Sequence, residues 1–146
     1  MNLKSEIMKK GTPISEIMTK NVVTLKNEDT LEYAERMFKT HNIRHIPVVK
    51  DKAIVGMLSY TDLMRISFAD AVDDDEHTVD TVVYNMFSIE QVMASNVVSV
   101  TSTNTVKDVA QLLSRREFHA LPVVDDGKLV GIVTTTDLMN FLIEQL

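Results

Sequence analysis

The eleven residues IVGMLSYTDLM (54–64) return as LVGIVTTTDLM (129–139), at an offset of 75. Each copy opens with the β-branched and apolar residues of a strand. It keeps one glycine at the third position and then passes through Ser or Thr into Thr-Asp-Leu-Met. Working outward at the same offset, residues 14–64 realign on 89–139 without a gap, and 16 of the 51 positions are identical. MTKNVV (18–23) reappears as MASNVV (93–98), and HIPVVKD (45–51) as ALPVVDD (120–126). A repeat of this length is one supersecondary unit used twice, and two copies in a short chain are expected to pack on each other.

The order of elements within a copy follows from local chemistry. Thr12-Pro13 suits a helix start with proline at the first helical position, and Ser88 with Gln91 three residues on has the capping-box pattern. Strands are predicted over Asn21–Leu25 and Asn96–Val100. An amphipathic helix follows, capped by Thr30, with Leu31, Ala34, Met37 and Phe38 on one face; Val106, Val109, Ala110, Leu112 and Leu113 give the equivalent stripe. Ile46–Val49 and Ile54–Ser59 read as a hairpin closed at Lys50–Lys52, and Leu121–Val124 with Leu129–Thr134 as its counterpart closed at Asp125–Lys128. Each hairpin runs into a helix expected to begin at Thr61-Asp62 or Thr136-Asp137, with threonine as the cap and aspartate complementing the positive helix end. The fold class is α+β, a small sheet with helices on one side, twice. The predicted organisation is a tail over 1–11, a first repeat over 12–68, an acidic linker over 69–87 and a second repeat over 88–146.

Composition removes several classes of function. The 146 residues include no cysteine, so thiol nucleophiles, cysteine zinc sites and disulfides are absent. A chain of this size buries about 68–70% of its unfolded surface and needs no staple. The net charge of −6 and the lack of a Lys/Arg-rich run argue against a nucleic-acid backbone as partner. MNLKSEIMKK has no apolar run suited to a signal peptide, and nowhere do 18 apolar residues stand together, so no membrane partner and a cytoplasmic location are expected. The nine methionines read as adaptable core filler. Asp73–Glu76 bunches carboxylates but lacks the glycine and spacing of a calcium loop. His41 and His45 have a zinc-like spacing, yet a predicted helix end falls between them. No metal site and no catalytic residue is assigned: there is no glycine-rich phosphate loop and no nucleophile elbow.

The Ser59-Tyr60-Thr61-Asp62 and Thr134-Thr135-Thr136-Asp137 junctions carry the remaining chemistry. A carboxylate at a helix start can accept two hydrogen bonds from the vicinal hydroxyls of a ribose, while adjacent hydroxyls and free N–H groups hold a phosphate. The same residues equally serve as plain helix caps, and the junctions alone leave both uses open.

The doubled pattern of NVV, a helix, IPVV or LPVV, and GhhSxxD or GhhTxxD (h, apolar) resembles a pair of CBS domains, the cystathionine-β-synthase repeat of the Bateman module, over residues 12–146. The resemblance implies two βαββα repeats packed as a pseudo-twofold intramolecular disc with two clefts, no catalytic cofactor, and an adenosine-containing regulatory ligand: AMP, ADP, ATP or S-adenosylmethionine. By the same resemblance one cleft would use Thr19, Val22, Arg44, His45, Thr134, Thr136 and Asp137. The other would use Ser59, Thr61, Asp62, Val97, Phe118 and His119. Ala120 stands where a basic residue is expected, so the clefts are unequal. A homodimer and an unidentified effector protein are the implied partners. The rival readings are a ligand-free dimerisation or docking scaffold, and a metal- or polyanion-responsive protein working through the acidic linker and the His residues.

Overall fold

In the computed structural model residues 11–69 and 84–146 are described; Asp73–Glu76 and most of the predicted linker lie outside the described residues. The chain forms two units. One is Val23–Val97; the other joins Met1–Val22 to Val98–Leu146. They are called here the Asp62 unit and the Asp137 unit.

The Asp62 unit contains β1 (Leu25–Lys26), α1 (Leu31–His41), β2 (His45–Lys50), β3 (Ala53–Ser59), α2 (Tyr60–Ala69) and the single turn α3 (Ile89–Val92). Thr30 caps α1 as predicted, its hydroxyl accepting from the Tyr33 N–H at 3.1 Å. The helix stops at Asn42, whose left-handed φ of 51° is tolerated by asparagine at this position. That stop separates His41, which ends α1, from His45, which opens β2. The strands β2 and β3 pair antiparallel from His45↔Ser59 to Lys50↔Ala53, and β1 joins β2 in parallel through Leu25↔Val48 and Lys26↔Val49. Leu31, Ala34 and Phe38 of α1, Ile46 and Val48 of β2, Leu58 of β3, Leu63 of α2 and Ile89 share one core, with Met37 packed against it. An edge-to-face contact of Phe38 with Tyr60, 5.4 Å between centroids, ties α1 to the start of α2.

The Asp137 unit repeats this plan with a 3₁₀ turn (Ile14–Glu16), α4 (Val106–Arg115), β4 (Ala120–Asp125), β5 (Lys128–Thr134) and α5 (Thr135–Gln145). Its hairpin loop is Asp126-Gly127, both at positive φ (51° and 77°), the requirement of a two-residue type I′ turn. The core joins Ile14 to Val100, Val109, Leu113, Leu121, Val123 and Val133.

Three local expectations are corrected. The strand predicted over Asn21–Leu25 forms only at Leu25–Lys26, and that over Asn96–Val100 only as a single parallel bridge, Val100↔Val123. Each lies at the edge of its sheet, where β-branched composition does not oblige pairing. Pro13 precedes the 3₁₀ turn as its N-cap residue rather than occupying the first helical position. The helices after the hairpins begin one residue earlier than predicted, at Tyr60 and Thr135, so Thr61 and Thr136 lie in their first turns rather than capping them.

The sequence repeats and the folded units do not coincide. The segment before each first strand pairs with the hairpin of the other repeat. Thr19 exchanges both backbone bonds with Ile132 of β5 (2.8 and 3.0 Å), and Ala94 does so with Met57 of β3 (2.9 and 3.0 Å).

Candidate functional site

Each unit places an aspartate one turn into a helix that leaves a strand without a loop, and the backbone geometry of the two junctions matches. In the Asp62 unit the Tyr60 N–H donates to the Arg44 carbonyl at 2.8 Å; in the Asp137 unit the Thr135 N–H donates to the His119 carbonyl at 3.0 Å. Arg44 and His119 thus occupy equivalent places, each at the foot of its own junction.

The caps are Ser59 and Thr134. Ser59 Oγ accepts from the Asp62 N–H at 3.0 Å. Thr134 Oγ1 accepts from the Asp137 N–H at 3.1 Å, and Asp137 Oδ2 accepts in return from the Thr134 N–H at 2.9 Å, closing a capping box. Asp62 makes no such return bond among the described residues; its Oδ1 lies 3.5 Å from the Arg65 guanidinium, on a side chain three-quarters exposed. One carboxylate is therefore held by the backbone through one oxygen, and the other only by a loose surface ion pair worth little. In both, the second oxygen has no partner among the described residues and remains able to accept a hydroxyl hydrogen.

Of the residues predicted for the first cleft, Thr19, Val22, Thr134, Thr136 and Asp137 belong to one unit, and Thr19 is brought beside β5 by its bridge to Ile132. Arg44 and His45 belong to the Asp62 unit. Of the second set, Ser59, Thr61, Asp62 and Val97 share the Asp62 unit, while Phe118 and His119 belong to the Asp137 unit. Thr61 and Thr136 are exposed, with hydroxyls free of capping duty among the described residues.

Two features were not read from the sequence. Gly56 and Gly131 are required by methionines from the exchanged segments. A Cβ on Gly131 would stand 2.7 Å from Met18 Sδ and 3.0 Å from the Thr19 carbonyl oxygen, and one on Gly56 would collide with Met93 Sδ. The signal was present: Met18 and Met93 are identical at the offset of 75, as are the glycines. The second feature is a groove of about 240 Å³ beside Asp137, lined by Glu16, Ile17, Asn140, Phe141 and Glu144. No group of side chains able to hold a metal ion occurs among the described residues.

Comparison with known proteins identifies the repeat. The CBS domain family model matches twice, at residues 14–69 and 89–144. The chain belongs to the CBS domain family. It is 30% identical to the CBS domain-containing protein YhcV of Bacillus subtilis over 125 residues, covering 86% of this chain and 81% of that one. It is 33% identical to protein MJ1225 of Methanocaldococcus jannaschii over 89% of this chain, of which it spans 42%. The crystal structure of the CBS domain pair of protein MJ0100, in complex with 5′-methylthioadenosine and S-adenosyl-L-methionine, superposes with a TM-score of 0.77 at 25% identity, covering 93% of this chain and 99% of that one. The α+β architecture with two CBS repeats is shared with that pair. No helix among the described residues is long and apolar enough to cross a membrane.

Proposed function

We propose that this CBS pair is a regulatory module that binds an adenosine-containing ligand through Asp62 and Asp137 and signals its occupancy to an effector protein. The observation that carries the reading is the junction itself. Both repeats present a helix-start carboxylate with one oxygen unbonded among the described residues, beside exposed threonine hydroxyls and the N-terminal turn of a helix. That set of groups suits a ribose diol and a polar 5′ substituent. The complex of the related MJ0100 pair with S-adenosyl-L-methionine and 5′-methylthioadenosine supports the ligand class. Thr19 and Val22 are proposed to line the Asp137 site, and Val97 is their counterpart at the Asp62 site. Binding would bias the protein toward whichever arrangement holds the ligand better.

The test is a thermal-shift and calorimetry series with AMP, ATP, adenosine and S-adenosylmethionine. A ligand at 100 times its Kd stabilises by about 2.7 kcal/mol, which at this chain length is about 5–10 °C. Asp62→Ala and Asp137→Ala should each remove ribose-dependent binding at one site. The fold should survive both, since a half-buried helix-start aspartate is worth about 0.3–1 kcal/mol and a lost cap about 1 kcal/mol. Unaltered binding by both variants would overturn the assignment.

The second part of the proposal is a homodimer formed through α5. Met139, Leu142, Ile143 and Leu146 are exposed at spacings that place them on one helix face. A second copy offers the same stripe in return, as a twofold contact requires. Sedimentation equilibrium should give a dimer for the parent and a monomer for Ile143→Asp; a monomeric parent rejects this contact.

A further inference from the structure

The two junctions share their backbone geometry but not their charge. Around Asp137 the groove carries Glu16 and Glu144, and no lysine or arginine lines it. At the offset of 75 those places are Gln91 and Ala69 in the Asp62 unit, and Asn140 is replaced by Arg65. Arg65 stands 3.5 Å from Asp62 with its side chain three-quarters exposed, so it can swing to another anion at small cost. The residue whose carbonyl receives the first helical N–H is Arg44 in the Asp62 unit and His119 in the Asp137 unit. One helix start is thus attended by the Arg65 guanidinium and the other by two further carboxylates.

Hydrogen bonds of Arg to phosphate are charge-assisted and often bidentate, whereas a phosphate beside unpaired carboxylates meets like charge within the Debye length of about 8 Å. We infer that the two sites divide adenosine ligands by charge: the Asp62 site takes a 5′-phosphorylated adenosine, and the Asp137 site takes an adenosine whose 5′ group is uncharged or cationic. The inference rests on the proposed ribose contacts of Asp62 and Asp137 and adds the ligand class for each. Occupancy of the two sites then reports two different compounds, so the protein compares them rather than counting one.

The experiment is isothermal titration of the full chain with AMP and, separately, S-adenosylmethionine, on the parent, Asp62→Asn, Asp137→Asn, Arg65→Gln and the double variant Glu16→Gln/Glu144→Gln. Asparagine retains an oxygen that can accept from the Thr134 N–H, so Asp137→Asn keeps its cap. AMP binding should be lost in Asp62→Asn, weakened about tenfold or more in Arg65→Gln, and retained in Asp137→Asn. S-adenosylmethionine binding should show the opposite pattern, and the double glutamine variant should gain a second AMP site. Raising salt should weaken AMP binding in the parent. Loss of both ligands to the same degree in both aspartate variants, or no second AMP site in the double variant, overturns the division by charge while leaving the ribose contacts standing. Undiminished binding of both ligands by both aspartate variants overturns the ribose contacts themselves.

Discussion

The Asp62 and Asp137 junctions are two copies of one eleven-residue passage folded the same way, yet they are built to different tolerances. In the Asp137 unit the cap is reciprocal, and the glycine before it is closed on by both a methionine and a backbone carbonyl. In the Asp62 unit the cap is single, and the three atoms nearest the place of the glycine's missing Cβ all belong to Met93. Duplication therefore conserved the geometry of the strand-to-helix passage and let its supports drift apart. Where a support is backbone the position has lost freedom; where it is a flexible side chain it has kept some.

The largest test of that contrast is at the glycines. Gly131→Ala and Gly56→Ala each insert a methyl group where atoms already stand, an overpacking that typically costs about 1–3 kcal/mol. Their rescue should differ. Met93→Ala removes the three atoms nearest the new Cβ at position 56, so the double variant Gly56→Ala/Met93→Ala should unfold in urea close to Met93→Ala alone. Met18→Ala leaves the Thr19 carbonyl at 3.0 Å from the Cβ at position 131, so Gly131→Ala should stay destabilising in that background. Equal rescue at the two positions would show that the exchanged backbone bridge yields as readily as a methionine.

Much of this was legible beforehand, and the failures have physical causes. The hairpins, the amphipathic faces of α1 and α4, the Thr30 cap and the Ser88–Gln91 box follow from period, turn chemistry and capping preference, all of them local. The post-hairpin caps were misplaced by two residues because Ser59 and Thr61, like Thr134 and Thr136, are all acceptable capping residues; only the pairing of Ser59 with His45 and Thr134 with Ala120 decides how far the strands run. The exchange of leading segments was not legible from the residues themselves; only the family resemblance, which sets Thr19 and Val22 with Asp137 and Val97 with Asp62, pointed toward it. An alignment of the chain on itself states that two segments are alike, and says nothing about which copy each one packs on. The acidity around Asp137 escaped for a related reason: Glu16 and Glu144 are far apart in sequence and meet only because the segment holding Glu16 packs in the Asp137 unit.

The smallest effect separates the units by acid. In the Asp137 unit the Thr105 N–H, then its hydroxyl, holds the Asp108 carboxyl below its ordinary range, and the Ser102 hydroxyl and N–H do the same for Asp125. At the offset of 75 the Asp62 unit has Tyr33 and Lys50 there and no carboxylate to titrate. A carboxyl whose folded pKa lies below its unfolded value contributes stability that is fully present above the unfolded value, here near 3.8, and is lost as pH falls through the folded one. Hydrogen exchange followed by mass spectrometry between pH 5 and 2.5 should therefore show α4 amides losing protection ahead of those of α1, after correction for intrinsic rates. In Asp108→Asn/Asp125→Asn that lead should shrink, because the amides cannot titrate. A lead unchanged by the substitutions would show that Asp108 and Asp125 do not carry the acid sensitivity of this unit.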